Sequence, residues 1–215
     1  MLRLTFVRIR KKKIMALLPL LILFVLLPAM SLFFSRQNEG GMEEALRIFT
    51  CQMHVWIPIF SIWWGLLLFH DFFMAGGNEL LYLYHKSSYF IKIQSVAMLL
   101  YSFCIAASFF ICRQFMPLEY FLLIQLIAEA FFAVALAYFL FFAFLNTGVG
   151  LLTVAAYCIY INFFDTLGLL DFMSVFPKDS FVTSENIHLI GFSCLSALVF
   201  LVLGFLCSKF RREYK

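Results

Sequence analysis

Apolar residues run along this chain in long unbroken stretches, with neither the alternation of a strand nor the single stripe of a surface helix. Such stretches occupy residues 14–34, 54–74, 93–112, 118–145, 151–172 and 187–208. Each holds roughly 20 residues, enough at about 1.5 Å per residue to cross a hydrocarbon core of about 30 Å. The pattern predicts an all-α polytopic membrane protein with six transmembrane helices, a single transmembrane domain over 1–215. The first stretch reads as a membrane helix and not as a cleaved signal, because its apolar part is long and no small-x-small site follows it. Ahead of it, residues 2–13 alternate apolar and basic positions, and Leu2, Phe6 and Ile9 share one helical face. That predicts a basic interfacial helix over 1–13.

One polar break is organised. After the second span, Ala75, Gly76 and Gly77 interrupt the helix, Asn78 can cap a new start and Glu79 places a negative charge in its first turn. Leu80, Leu81, Leu83 and Tyr84 then give a short helix an apolar face, while Tyr82, His85, Lys86 and Ser87 give it a polar one. A helix over 78–88, within a loop at 76–90, suits two roles. It can dock a soluble partner, or it can lie on lipid head groups.

Composition agrees with the pattern: 64% of the 215 residues are hydrophobic and 20% aromatic, more apolar surface than a soluble domain of this size hides. Charge adds the orientation. Arg3, Arg8, Arg10, Lys11, Lys12 and Lys13 precede the first span, Lys86 and Lys92 follow the second, and Lys209, Arg211, Arg212 and Lys215 follow the last. Only Arg36, Arg47, Arg113 and Lys178 fall on the other side. The positive-inside bias therefore predicts both termini and the 76–90 loop in the cytoplasm of a cell membrane. The net charge of +4 follows from that topology and from anionic lipid, so no nucleic-acid partner is expected.

Within the spans a few residues break the apolar rule. Pro19 and Pro28 are expected to kink the first helix or loosen its backbone bonding. In the outer loop at 35–52, Glu43 and Glu44 stand ahead of Arg47 as in a short surface helix. Trp56 fits an outer aromatic belt, whereas Trp63 and Trp64 lie deeper. Pro117 is placed to begin the fourth helix. Gln125 and Glu129 are four apart on one face of that helix, with Glu129 roughly 15 Å deep. An ionised carboxylate there costs about 3 kcal/mol on the lenient insertion scale, so it must be protonated, paired, or turned to a wet cavity or a partner helix. Ala133 and Ala137, and later Ser193 and Ala197, offer small surfaces where another helix can come close. A short turn at 146–150 leads to a fifth span carrying Asn162, Asp165 and Thr166 as one polar patch. Glu129 and Asp165 invite a proton or cation pathway; they equally permit interhelical hydrogen bonds.

Enzymatic motifs are missing. There is no Walker phosphate loop, no G-x-S-x-G, no H-E-x-x-H and no glycosidase-like carboxylate pair. The six cysteines form no C-x-x-C pair. Cys51 and Cys112 both fall near the outer surface, and whether they are bridged depends on distances that a sequence does not give. Cys51 and His54, three apart, make a thiol–imidazole pair that nothing orients. A two-histidine haem site would use His54 with His188, but no second pair exists near the inner face.

The run from Phe69 to Tyr82, FHDFFMAGGNELLY, together with six spans and a basic amino-terminal helix, resembles the permease subunits of type-2 ABC exporters. The motif covers about thirty residues and the topology the whole chain. The resemblance implies a non-catalytic chain without a cofactor of its own, paired with two copies of an ATPase that carries ATP and Mg, and with a second permease, identical or homologous. It implies a short cytoplasmic coupling helix after span 2, with Asn78, Glu79, Leu80, Tyr82, His85 and Lys86 at the ATPase. Its cargo would be an amphiphile such as a drug, a lipid-linked compound or an antimicrobial peptide. The connection between spans five and six is shorter than the re-entrant hairpin of many such permeases. Two other classes stay open: an ion- or proton-coupled transporter using Glu129 and Asp165, and an intramembrane redox protein or enzyme. The charge pattern is tested by labelling intact cells with a membrane-impermeant maleimide. Compared with the unsubstituted chain, Gly40→Cys is expected to gain label from outside, and Ser88→Cys only after the membrane is opened.

Overall fold

The computed structural model describes residues 13–36, 42–74, 87–163 and 184–213, and their regular structure is helical throughout. In chain order the elements are α1 (Lys13–Leu21), a π-helical segment (Ile22–Leu26), α2 (Leu27–Arg36), α3 (Met42–Ser61), α4 (Trp63–Met74), α5 (Ser87–Cys112), α6 (Tyr120–Phe144), α7 (Thr147–Phe163) and α8 (Ser184–Glu213). Five stretches are long and apolar enough to cross a membrane: Met15–Arg36, Met42–His70, Tyr89–Cys112, Tyr120–Phe144 and Ile187–Phe210. That is the build of a membrane-embedded protein. The expected fifth span appears as a shorter apolar helix, Thr147–Ile161, and residues 164–172 lie outside the described residues.

Helix α6 is the post around which the others stand. It touches α3, α4, α5, α7 and α8, and most of its apolar stretch is buried within the protein, against a small fraction of α8. A helix hydrophobic on every side fits either the centre of a bundle or a lipid face. Small residues decide how near the neighbours come. Ala133 and Ala137 are buried, and a Cβ on Gly150 of α7 would run into the Phe141 ring and sit 3.3 Å from the Ala137 carbonyl. Across the post, α8 buries Ser193, Ala197, Gly204 and Ser208. A Cβ on Gly204 would lie 2.6 Å from the Tyr138 ring and 3.1 Å from the Phe139 Cα. The two small-residue surfaces expected from sequence are therefore helix contacts.

Proline defects are repaired by side chains from other helices. Pro19 has no N–H for the Met15 carbonyl four residues back; the Trp63 indole donates to that oxygen at 2.8 Å, and Trp64 donates to Ala16 at 3.0 Å. Between Pro19 and Pro28 the helix slips into the π register, with Leu27 N–H donating to the Ile22 carbonyl. In that register Leu23 would need an N–H from residue 28, again a proline, and Ser108 of α5 donates instead at 2.5 Å. The loosened backbone expected in the first span is thus present, and the two deep tryptophans are backbone donors and not belt residues.

Several boundaries differ from the sequence reading. Residues 42–53 do not form a separate loop helix; they begin the second span, because Ala45, Phe49, Met53 and Ile57 make a continuous buried stripe. Ser87 already belongs to α5, so the connection after span 2 is shorter than 76–90. Helix α6 starts at Tyr120, three residues after Pro117. The turn after it is Leu145 and Asn146 alone: Leu145 takes φ 54°, and the Asn146 Oδ1 accepts from the Gly148 N–H at 2.8 Å, capping α7. No disulfide joins Cys51 and Cys112.

The α6–α8 contact makes a contrast that unfolding in detergent can read. Gly204→Leu is expected to lower stability by about 1–3 kcal/mol through overpacking. Gly191→Leu, on an open stretch of the same helix with nothing within 4 Å of its Cβ, is expected to leave the transition in place.

Candidate functional site

Two polar side chains meet in the middle of the bundle. His54, on the stripe of α3 that faces α6, sets Nδ1 2.7 Å from Oε1 and 2.8 Å from Oε2 of Glu129. The Glu129 side chain is 1% exposed and that of His54 10%. Glu129 is nine residues into α6 and His54 twelve into α3, so both sit roughly 14–18 Å from the helix starts, at mid-depth. One proton must lie in this contact, on the ring or on the carboxyl group, since two bare acceptors would repel. With it the pair is a neutral or ion-paired unit and not a lone buried charge, which resolves the cost of a carboxylate at this depth.

The surroundings come from four helices. On α3, Pro58 removes the N–H that the His54 carbonyl would take four residues on. Ser61 Oγ donates to the Pro58 carbonyl at 2.6 Å and approaches the Ala130 carbonyl of α6 at 3.3 Å. Tyr101 of α5 donates to the Ile57 carbonyl at 3.0 Å. Cys158 of α7 is fully buried in the bundle core. Gln125 is buried one turn from Glu129 on α6. Among the described residues no group of three or more His, Cys, Asp or Glu side chains could hold a metal ion.

Sequence pointed to Glu129 and to its need for a partner, but not to the partner. His54 turns Nδ1 to Glu129, and His188 is exposed on α8. His54 was missed because the second span was expected to begin at residue 54, near the outer face. Starting the helix at Met42 moves it to the middle. Asp165 and Thr166 lie outside the described residues; Asn162 is in α7, with its side chain likewise outside them. Asn78, Glu79, Leu80, Tyr82, His85 and Lys86 also lie outside them.

A second constellation sits at the other end of α4. Phe69 is fully buried and its ring lies 5.9 Å from Phe90, 5.9 Å from Tyr138, 6.1 Å from Phe141 and 5.6 Å from Phe142. Phe73 and Phe90 reach Phe142 at 5.5 Å and 5.4 Å. This cluster ties the end of α4, the start of α5 and the end of α6 into one body, each edge-to-face pair adding about 0.5–1.5 kcal/mol beyond burial.

No protein-family model matches the chain, and no curated protein or solved structure does. Fold and site therefore define a helical bundle with the build of a membrane protein and a buried imidazole–carboxylate pair at its heart.

Breaking that pair from one side leaves a polar group stranded. His54→Ala and Glu129→Ala are each expected to cost about 3–5 kcal/mol, whereas His54→Leu with Glu129→Leu together cost less than either. Denaturant unfolding of the four proteins in one detergent measures the coupling.

Proposed function

We propose that this chain is the membrane permease of an ATP-driven exporter of the type-2 ABC class, crossing the cell membrane six times with both ends in the cytoplasm. Two such chains, or one with a homologous partner, would form the path for an amphiphilic cargo. Two ATPase subunits, carrying ATP and Mg, would dock at the 75–86 connection through Asn78, Glu79, Leu80, Tyr82, His85 and Lys86. The observation that supports this most is the Phe69 cluster. A segment with the sequence AGGNELLYLYHK springs from α4 and returns into α5, and both roots are locked by aromatic contacts to each other and to the central post. A force that reaches these roots moves packed helices as a body.

The His54–Glu129 pair favours one other reading, in which a carboxyl group at mid-membrane carries protons or cations in a transporter that needs no ATPase. In that case Glu129 and Asp165 would be indispensable.

Capture of the tagged chain from native membranes is expected to recover an ATPase. Glu79→Ala with Tyr82→Ala is expected to abolish stimulation of ATP hydrolysis while the chain is still inserted. Unchanged stimulation would remove the docking assignment, and full transport by Glu129→Gln with Asp165→Asn would remove the ion-coupled reading.

A further inference from the structure

We propose that residues 58–62, where α3 gives way to α4, are a hinge, and that the His54–Glu129 contact is the latch deciding whether α3 stays against α6 or swings away from the body that α4 and α6 form. The second span runs as one apolar stretch from Met42 to His70 with a turn at Ile62, where α3 ends at Ser61 and α4 starts at Trp63. Pro58 leaves the His54 carbonyl without its ladder donor. The residue in the latch and the residue with the weakened backbone are therefore the same.

The oxygens around the break are served by side chains. Tyr101 takes Ile57, and Ser61 takes Pro58 while leaning on Ala130. Such bonds can be released and remade without unwinding a turn. On either side the chain is stiff. Helix α4 is fixed at its far end by the Phe69 cluster, and α3 presents a continuous buried face through Ala45, Phe49 and Met53. A joint between two stiff levers bends in preference to either lever.

The latch has two states and little between. A carboxylate or imidazolium parted from its partner at mid-membrane is costly, so partial separation gains nothing. The contact is made, or it is exchanged for another polar partner. For transport this inference rests on the exporter reading, which supplies the load on the 75–86 segment. Hinge and latch exist without it.

Hydrogen–deuterium exchange of the full chain in lipid nanodiscs, without nucleotide or partner, tests both. Glu129→Leu and His54→Ala are expected to speed exchange of the α3 amides at least about tenfold, leaving α5 and α8 unchanged. The milder Glu129→Gln, which keeps a hydrogen bond to the ring, is expected to give a smaller rise and guards against a variant that fails to fold. Adding Pro58→Ala, which restores the missing N–H, is expected to return α3 to the exchange of the parent chain, since α3 and α4 then move as one helix held by the aromatic cluster. Unchanged α3 exchange in all three variants overturns the latch. So does equal acceleration in α5 and α8, which marks a general support. No effect of Pro58→Ala overturns the hinge. None of these outcomes bears on whether an ATPase is captured, so this inference and the exporter reading fail separately.

Discussion

A membrane interior offers no water to a stranded polar group, and the arrangement around Glu129 is the answer to that constraint. The carboxyl group sits deep in the most buried helix of the bundle, where it is tolerable only with its proton and its partner in place. His54 supplies that partner from α3, with both carboxyl oxygens within hydrogen-bond distance of one ring nitrogen. This fixes the rotation of two helices about their axes at once, since a turn of either by one residue would carry its polar group about 100° away from the other. Apolar packing by itself specifies such rotations weakly, because lipid is as apolar as leucine and a phenylalanine face fits lipid as readily as a neighbour.

The same constraint governs the backbone. Three prolines interrupt the first two spans, and near each one a hydroxyl or indole from another segment reaches a carbonyl around the break. These donors do two things. They satisfy oxygens that hydrocarbon cannot, and they fasten α1, α3, α4 and α5 to one another at the points where the helices are weakest. Helix irregularity and tertiary contact are here a single feature. The result is a bundle stiff along its helices and divided at defined joints, a suitable body for moving in large pieces.

Aromatic rings complete the division of labour. Thirty phenylalanines would be a liability in water; here many face outward, such as Phe103, Phe110 and Phe192, and lipid accepts them. A smaller set around Phe69 is turned inward and welds the ends of α4, α5 and α6. The welded end and the hinged middle belong to the same second span, so displacement at one is felt at the other. Small residues allow α7 and α8 to lie close against the post without adding polar contacts.

The long apolar runs and the scattered prolines determined on their own that the chain is helical, apolar along its helices and irregular in its first span, because span length and missing N–H groups are properties of local sequence. The need of Glu129 for a partner was legible for the same reason. What only the tertiary structure decided was the identity of that partner. Glu43, Glu44 and Arg47 made the beginning of the second span look like a surface loop, while the stripe of Ala45, Phe49, Met53 and Ile57 that carries the helix past them is legible only once α6 stands opposite. Likewise Trp63 and Trp64 gained their meaning from the carbonyls of Met15, freed by Pro19, and of Ala16, each some 48 residues away in the chain. Pairings of this kind depend on which faces meet, and a one-dimensional pattern ranks the faces without saying which of them will touch.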